Sequence, residues 1–395
     1  MSVYPLTGVI RPYAWGSRTI LAELQGRTAP SEGPEAELWL GAHPGDPSTV
    51  TGPDGPISLD TLIAADPAGR LGPAVQAEFG TRLPYLLKVL AAEAPLSLQA
   101  HPDAEYARRA FAAQEADPDL PRNYTDAFHK PEMLVAVTPF EALCGFRDPA
   151  VSADVLAGLE LPPLAPVVAA LRTGAQGLRE AVQLLLSWPA EDRPGLLQAV
   201  VRAAAADPDA RYADSYALAT ELAAHHPGDP GVLVALLLNH VRLAPGEAIW
   251  MPAGNLHAYL RGAGVEIMAA SDNVLRGGLT PKRVDVDELL RVLRFEVLDD
   301  PILPATEVAP GVLTWQVPVR EFALYRVELD GTRPPATVPA QGPRIVLGIR
   351  GDIFVAERHG TPAGIGTGTA AFASADAGEI TLAGVGVAFV AAVPS

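Results

Sequence analysis

Pro95-Leu96-Ser97-Leu98-Gln99-Ala100-His101-Pro102-Asp103 follows an apolar run, Tyr85-Leu86-Leu87-Lys88-Val89-Leu90. Its alternation predicts a β-strand. Side chains two apart on a strand share a face, so Ser97, Gln99 and His101 point the same way. One face thus carries a hydroxyl, an amide and an imidazole where a core strand would carry Val or Leu. Burying such groups unpaired costs about 1–3 kcal/mol each. The face therefore implies a partner, and a metal ion suits it.

Working outward, residues 1–60 are rich in Gly and Pro with short apolar runs, which predicts short strands and turns. Tyr13-Ala14-Trp15-Gly16-Ser17 and Glu37-Leu38-Trp39-Leu40-Gly41-Ala42-His43-Pro44 read as aromatic core packing and turns; His43 is of a ligand type, but its Gly and Pro flanks read as a loop. Ala104 to Ala116 reads as a helix capped by Asp103. In Tyr124-Thr125-Asp126-Ala127-Phe128-His129-Lys130-Pro131-Glu132-Met133, Pro131 forces Lys130 into an extended conformation. Glu132 then opens an apolar strand running from Met133 to Val137.

From about 148 to 240 the periodicity is helical. Leu178, Val182 and Leu185 are spaced four and three, as are Leu197, Val201 and Ala204, and Leu218 and Leu222 lie four apart. Asp229-Pro230 reads as a cap followed by the first helical position. Strand character returns at Ala248 to Met251. Two further strands are expected, Leu256 to Leu260 and Gly264 to Ala269, the first putting His257 and Tyr259 on one face and the second carrying Glu266. A polar loop, Ser271 to Lys282, and a short helix, Asp285 to Leu293, follow. After residue 300, expected strands at Phe322 to Leu329, Arg344 to Ile349, Ile353 to Ala356, Glu379 to Leu382 and Val385 to Ala392 describe an all-β unit. It holds one histidine, His359, and no ligand set. The chain is thus mainly β with an α-helical insert, at 395 residues long enough for two or three domains.

A net charge of −17 argues against nucleic acid or an anionic membrane as partner. An anionic substrate would need a local basic pocket. The single cysteine, Cys144, excludes an internal disulfide and fits a reducing compartment, so a cytoplasmic location is expected. Met1-Ser2-Val3-Tyr4-Pro5 has neither a basic start nor an apolar core, and the run Val232 to Leu238 is far too short to span a bilayer.

Gathered together, Gln99, His101, Glu132 and His257 supply two imidazoles, a carboxylate and an amide oxygen. That set makes a Zn²⁺ shell with room for water or substrate. The same donors suit Fe²⁺, Co²⁺ or Mn²⁺.

Tyr124 to Glu132 resembles the first signature of the type I phosphomannose isomerases (mannose-6-phosphate isomerases). The run from His257-Ala258-Tyr259 through Val265-Glu266-Ile267-Met268-Ala269-Ala270-Ser271-Asp272-Asn273 to Arg276 and Thr280-Pro281-Lys282 resembles the second. Trp15, Glu37 to Pro44 and Gln99 to Pro102 are similar to the same family, so the resemblance spans nearly the whole chain. Phe128 stands where the family usually has Asn, and Gly277, in the loop after Arg276, where it has Ala. The resemblance implies a cupin-superfamily, zinc-dependent isomerase. Two cupin-type jelly-roll β domains would accompany a helical domain: a catalytic jelly roll at 1–147 and 241–299, the helical insert at 148–240, and a metal-free jelly roll at 300–395. It implies zinc ligands Gln99, His101, Glu132 and His257, and Arg276 as the catalytic arginine. His129, Lys130, Glu266 and Asp272 match acid, base or orienting groups. Ser97, Lys88, Tyr259, Lys282 and Trp15 are the candidate substrate-binding set, the substrate being a phosphorylated hexose and the protein a monomer.

The chemistry fits those residues. Interconverting mannose 6-phosphate and fructose 6-phosphate moves a proton between C2 and C1 through an enediol. A zinc with a single carboxylate ligand keeps positive charge for the developing oxyanion. A base with a pKa near the working pH must reach C2, and a cation must bind phosphate. A non-catalytic, sugar-sensing metal cupin would need the ligands but not Lys130, Glu266, Asp272 and Arg276. A cupin iron dioxygenase would be crowded by Gln99 as a fourth ligand. Without a Gly-rich nucleotide loop, a nucleotidyltransferase half is not expected.

Overall fold

The computed structural model describes residues 2–52, 55–206 and 209–394; Met1, with which the stretch Met1 to Pro5 read above begins, lies outside them. Two antiparallel eleven-stranded sheets dominate it, with helices between and beside them.

The first sheet is built around one long strand, His257–Ala269. Its second half lies between Tyr85–Ala92 and Glu132–Ala136, and its first half pairs with Leu98–Ala100 and Phe140–Phe146. The sequence predicted two strands here. Gly262, the break between them, lies inside the strand at φ +109°, where a Cβ would come within 2.5 Å of the Pro139 carbonyl oxygen. The chain bends there, with a register shift between Tyr259 and Arg261, and moves from one set of partners to the other.

The same correction applies after residue 300. Arg344–Glu357 is one strand rather than two, and so is Ile380–Ala392. Glycines that read as turns supply left-handed backbone at bends instead, as Gly351 does at φ +83°. These strands belong to the second sheet, which also takes in Val3–Thr7, paired with Ala370–Ala373, and then Thr49–Gly52 and Gly55–Ser58. Hydrogen bonding therefore carries the amino-terminal strands across the chain-order division at residue 300. The two sheets face each other through Met133, Leu87, Val89, Val265 and Ile267 on one side and Leu324, Ile345, Phe372 and Phe389 on the other. Each fully buried side chain of this kind contributes about 1.5–3 kcal/mol.

The helical segment between 149 and 235 packs on the opposite side of the strands that carry the suspicious polar face. Leu178, Val182, Leu185, Leu197 and Leu222 share a core with Leu98, Ala100, Ala258, Leu260 and Leu275. Leu98 and Ala100 alternate with Ser97, Gln99 and His101, just as Ala258 and Leu260 alternate with His257 and Tyr259. Period-two alternation thus sends apolar side chains toward the helices and leaves the polar ones for the site. Two details differ from the helical reading. In Arg193–Ala205 it is Val200, not Val201, that is buried. The helix after Asp229-Pro230 begins at Gly231; the Asp229 carboxylate accepts from Gly231 N at 2.7 Å and from Thr280 N at 2.9 Å, tying this segment to the loop beyond Arg276. Helix Ala104–Ala116 is as predicted, with the Asp103 carboxylate accepting from Tyr106 N at 2.8 Å. Among the described residues, no helix is long and apolar enough to cross a membrane.

Candidate metal centre and active site

Three strands bring the ligand candidates together. His101 follows Leu98–Ala100, Glu132 opens Glu132–Ala136, and His257 opens His257–Ala269. Ligand atoms of these three buried residues lie within 4.8 Å of one another. Glu132 Oε2 is 3.1 Å from His257 Nε2 and 3.3 Å from His101 Nε2. Neighbouring ligands on a tetrahedral ion with bonds of about 2.0–2.2 Å are separated by about 3.3–3.6 Å.

The donor chemistry tests the fit. His101 Nδ1 lies 2.6 Å from the Asn273 carbonyl oxygen, and His257 Nδ1 lies 3.0 Å from that of Asn255. A carbonyl only accepts, so each ring carries its proton on Nδ1 and turns the bare lone pair of Nε2 inward. Burial pushes the His101 imidazole down to about 4, against the pull of Glu132, so this ring is neutral. Its Nε2 is buried without a hydrogen-bond partner. Two imidazole lone pairs therefore face a carboxylate, an arrangement of acceptors that a cation between them resolves. Burial alone would raise the Glu132 carboxyl. Lys130, whose Nζ lies 3.0 Å from Glu132 Oε1, outweighs it and holds the group well below the ordinary carboxylate range. Gln99 is the cross-strand neighbour of both His257 and Arg276.

The two sequence signatures meet at this centre. Asn273 is fully buried; its amide nitrogen donates to the carbonyl oxygens of Asp126 and Phe128, both at 2.8 Å, and its amide oxygen accepts from Thr125 N at 2.8 Å. Ser271 Oγ donates to the Asp126 carboxylate at 2.9 Å. The loop that presents His129 and Lys130 is thereby clamped to the loop whose Asn273 carbonyl orients His101. We expect Asn273→Ala to cost about 2–4 kcal/mol of stability, since it strands several buried partners at once. Urea unfolding, with the slope unchanged, measures this.

The chain is similar to known proteins over its whole length. Residues 3–149 match the profile of phosphomannose isomerase type I, catalytic domain. Mannose-6-phosphate isomerase of Escherichia coli is 36% identical over 393 residues, covering 96% of this chain and 97% of that protein. The human protein of the same name is 33% identical over 362 residues, covering 84% and 83%. A crystal structure of a mutant phosphomannose isomerase from Salmonella typhimurium superposes with a TM-score of 0.90 at 32% identity, covering both chains completely. A zinc-bound mannose 6-phosphate isomerase does so at 0.89 and 32%. This chain belongs to the type I phosphomannose isomerase family. Its two-sheet architecture is the family's cupin-type fold.

The remaining candidates fall into two groups. The first is buried. Lys88 Nζ lies 3.1 Å from Glu266 Oε2 and 3.8 Å from Glu37 Oε2, and Tyr259 OH donates to Glu266 Oε1 at 2.6 Å. Burial opposes the charge on Lys88, but Glu266, Glu37 and Glu132 overcome it and raise its affinity for the proton. Burial pushes the Glu266 carboxyl up, with Lys88 opposing. Lys88 and Tyr259 are therefore members of an internal network rather than groups at an opening.

The second group is more accessible. Arg276 Nη1 donates to Ser97 Oγ at 2.8 Å, and among the described residues the guanidinium makes no ion pair. Half of the Asp272 side chain is exposed. His129 Nε2 lies 2.6 Å from Glu321 Oε1, so a side chain from beyond residue 300 reaches the rim of the site. Trp15 is half-buried and packs beside the cluster that contains Tyr259. Lys282 is exposed and lines a cleft of about 390 Å³ with Asp229, Thr280 and Arg193, outside hydrogen-bond contact with the other candidates. His359 is exposed in a turn of the second sheet.

The family departures have local explanations. Phe128 is exposed, and the Arg82 guanidinium sits over its ring at 3.6 Å. Gly277 lies in strand Leu275–Gly278 rather than in a loop, where an added Cβ would press on Leu256 at 3.0 Å.

Sequence reasoning left Glu37 and His43 out of the candidate set, yet both lie beside its members. Both are buried, Glu37 beside Lys88 and His43 with Nε2 3.3 Å from Asp272 Oδ2. Trp39 links them, donating Nε1–H to Glu37 at 2.6 Å and meeting the His43 ring edge-on at 5.0 Å. Glu37 and Trp39 are two apart on strand Glu37–Leu40, the same signal that exposed Ser97, Gln99 and His101, whereas His43 lies beyond the end of that strand.

Proposed function

We propose that the protein interconverts mannose 6-phosphate and fructose 6-phosphate, using zinc held by His101, Glu132, His257 and Gln99. The observation that carries this is the pair of inward-facing Nε2 lone pairs set against the Glu132 carboxylate. Zinc there would supply Lewis-acid stabilisation of oxygen anions. The E. coli and human relatives bear the name of this activity, and the zinc-bound neighbour bears the metal.

The protein's own residues supply the rest. Moving a proton between C2 and C1 through an enediol places negative charge on O1 and O2. Arg276, permanently charged and with no carboxylate partner among the described residues, stabilises that charge or grips the phosphate together with Ser97. Lys282 is a further phosphate candidate at the outer edge. Proton transfer falls to the set His129, Lys130, Glu266 and Asp272. Of these, Asp272 presents a half-exposed carboxylate, whereas Glu266 is committed to Lys88 and Tyr259. Catalysis is assigned to 1–147 with 241–299. The helical segment 148–240 and the strands of 300–395 support that unit, the latter touching it through Glu321. A cytoplasmic monomer is the setting proposed, in line with one buried, unpaired cysteine.

A coupled assay on mannose 6-phosphate, run before and after chelation, tests the reading. Turnover should disappear on removing metal and return with added zinc. Metal binding without turnover would leave the sugar-sensing cupin instead.

A further inference from the structure

We infer that His43 is a positioning residue that holds Asp272 in its working orientation. The inference rests on the isomerase reading above. His43 is only 5% exposed at its side chain, while the Asp272 side chain is 51% exposed. One end of the contact is therefore anchored in the protein and the other stands at the opening of the site.

The ring's orientation is determined on every side. Gly45 N donates to His43 Nδ1 at 3.2 Å, so Nδ1 is the acceptor and the ring proton sits on Nε2. Nε2 faces Asp272 Oδ2 at 3.3 Å. A Cβ on Gly45 would lie 3.3 Å from Nδ1 and 3.5 Å from Cε1, so the turn backbone packs directly on the ring. Trp39 meets it edge-on from the other side. Asp272 has a second anchor, its own backbone N–H, which donates to Asp126 Oδ2 at 3.0 Å. The nearby His43 ring, with burial opposing, holds the Asp272 carboxyl below its ordinary value.

The consequence is geometric. Oδ2 of Asp272 faces Nε2 of a ring held by Gly45 N on one side and Trp39 on the other, which biases the carboxylate toward one orientation and leaves Oδ1 available. A carboxylate on a Ser-Asp-Asn loop would otherwise sample several χ1 rotamers. Misplacement of a reacting or orienting group by about 1 Å costs on the order of 10²-fold. Apo contacts of this kind are commonly long and tighten when substrate is bound.

Two variants and one background decide the matter. His43→Phe keeps the ring against Trp39 and removes the donor. His43→Gln keeps a donor at nearly the same reach. We expect the phenylalanine variant to lose about 10–100-fold in kcat with KM changed much less, and the glutamine variant to recover most of that loss. In an Asp272→Ala background, His43→Phe should have no further effect. An equal loss in both backgrounds, or no loss in either, overturns the inference, because a merely structural ring would act independently of Asp272. Ring ¹⁵N spectra of the unsubstituted protein and of Asp272→Ala keep the test open if a His43 variant fails to fold. One histidine should show its proton on Nε2 and shift when Asp272 is removed; the absence of such a ring overturns the inference. An unsubstituted protein inactive on mannose 6-phosphate would instead refute the isomerase reading, and the spectra would still judge the contact.

Discussion

Glu132→Ala should empty the metal centre and reduce turnover by at least about 10³-fold, the equivalent of about 4 kcal/mol of transition-state stabilisation. Glu132 Oε2 is the atom that both imidazoles face, at 3.1 and 3.3 Å, and Oε1 is the partner of Lys130 at 3.0 Å. Removing the carboxylate deletes the site's only negative ligand and leaves a buried ammonium unpaired. The affinity for a dication should fall with it, so metal per chain measured by atomic emission should drop from about one to near zero. Glu132→Gln separates the two losses. It keeps an oxygen donor while removing the charge, and should retain partial metal with turnover still strongly depressed. Full activity in the alanine variant, with metal retained, would remove Glu132 from the centre.

Arg276→Ala should lower kcat by on the order of 10²–10³, the magnitude seen when one preorganised oxyanion donor is lost. Metal content should stay unchanged, because Arg276 Nη1 contacts Ser97 and no ligand side chain. Burial lowers the guanidinium's pKa; arginine nonetheless keeps its charge in proteins. If Arg276 grips the phosphate equally in ground and transition states, KM rises and kcat holds. Steady-state kinetics with metal measured on the same sample distinguish the two roles. Normal kcat and normal KM would place Arg276 outside the site. Arg276→Lys should recover little, since the ammonium lacks the planar fork of donors.

The candidate metal centre was legible because its residues violate the pattern around them. His101 and His257 sit on the face opposite Leu98, Ala100, Ala258 and Leu260, a face that a fully buried strand would fill with Val or Leu, and Pro131 isolates Glu132 at a strand start. Helix Ala104–Ala116 was legible from its Asp103 cap, and the core face of Leu178–Leu186 from its spacing. Such signals are local, because they depend on backbone period and on the chemistry of one side chain.

Glu37 was left out of the site although it shares a strand face with Trp39, and His43, weighed as a ligand, was read as a loop residue. Their partners, Lys88 and Asp272, lie about fifty and more than two hundred residues away, and no local pattern names a partner at that distance. Glycines misled for a related reason. Gly262, Gly351 and Gly384 look like turns in one dimension, since Gly is the residue that turns require. Whether left-handed backbone ends a strand or bends it depends on whether a neighbouring strand continues the hydrogen bonding. For Gly262 the continuing partner is Ala92, and for Gly384 it is Ile353.

By itself the sequence determined the mainly β character, the helical segment, the ligand types and the family resemblance, because each resides in periodicity or in motif. Only the tertiary structure decided three further things. It joined Val3–Thr7 to strands near residue 370. It committed Lys88 to Glu37 and Glu266 inside the protein, and it brought Glu321 to His129. Each depends on which distant segments share a sheet or a core, and the energy that selects them comes from burial summed over the whole molecule.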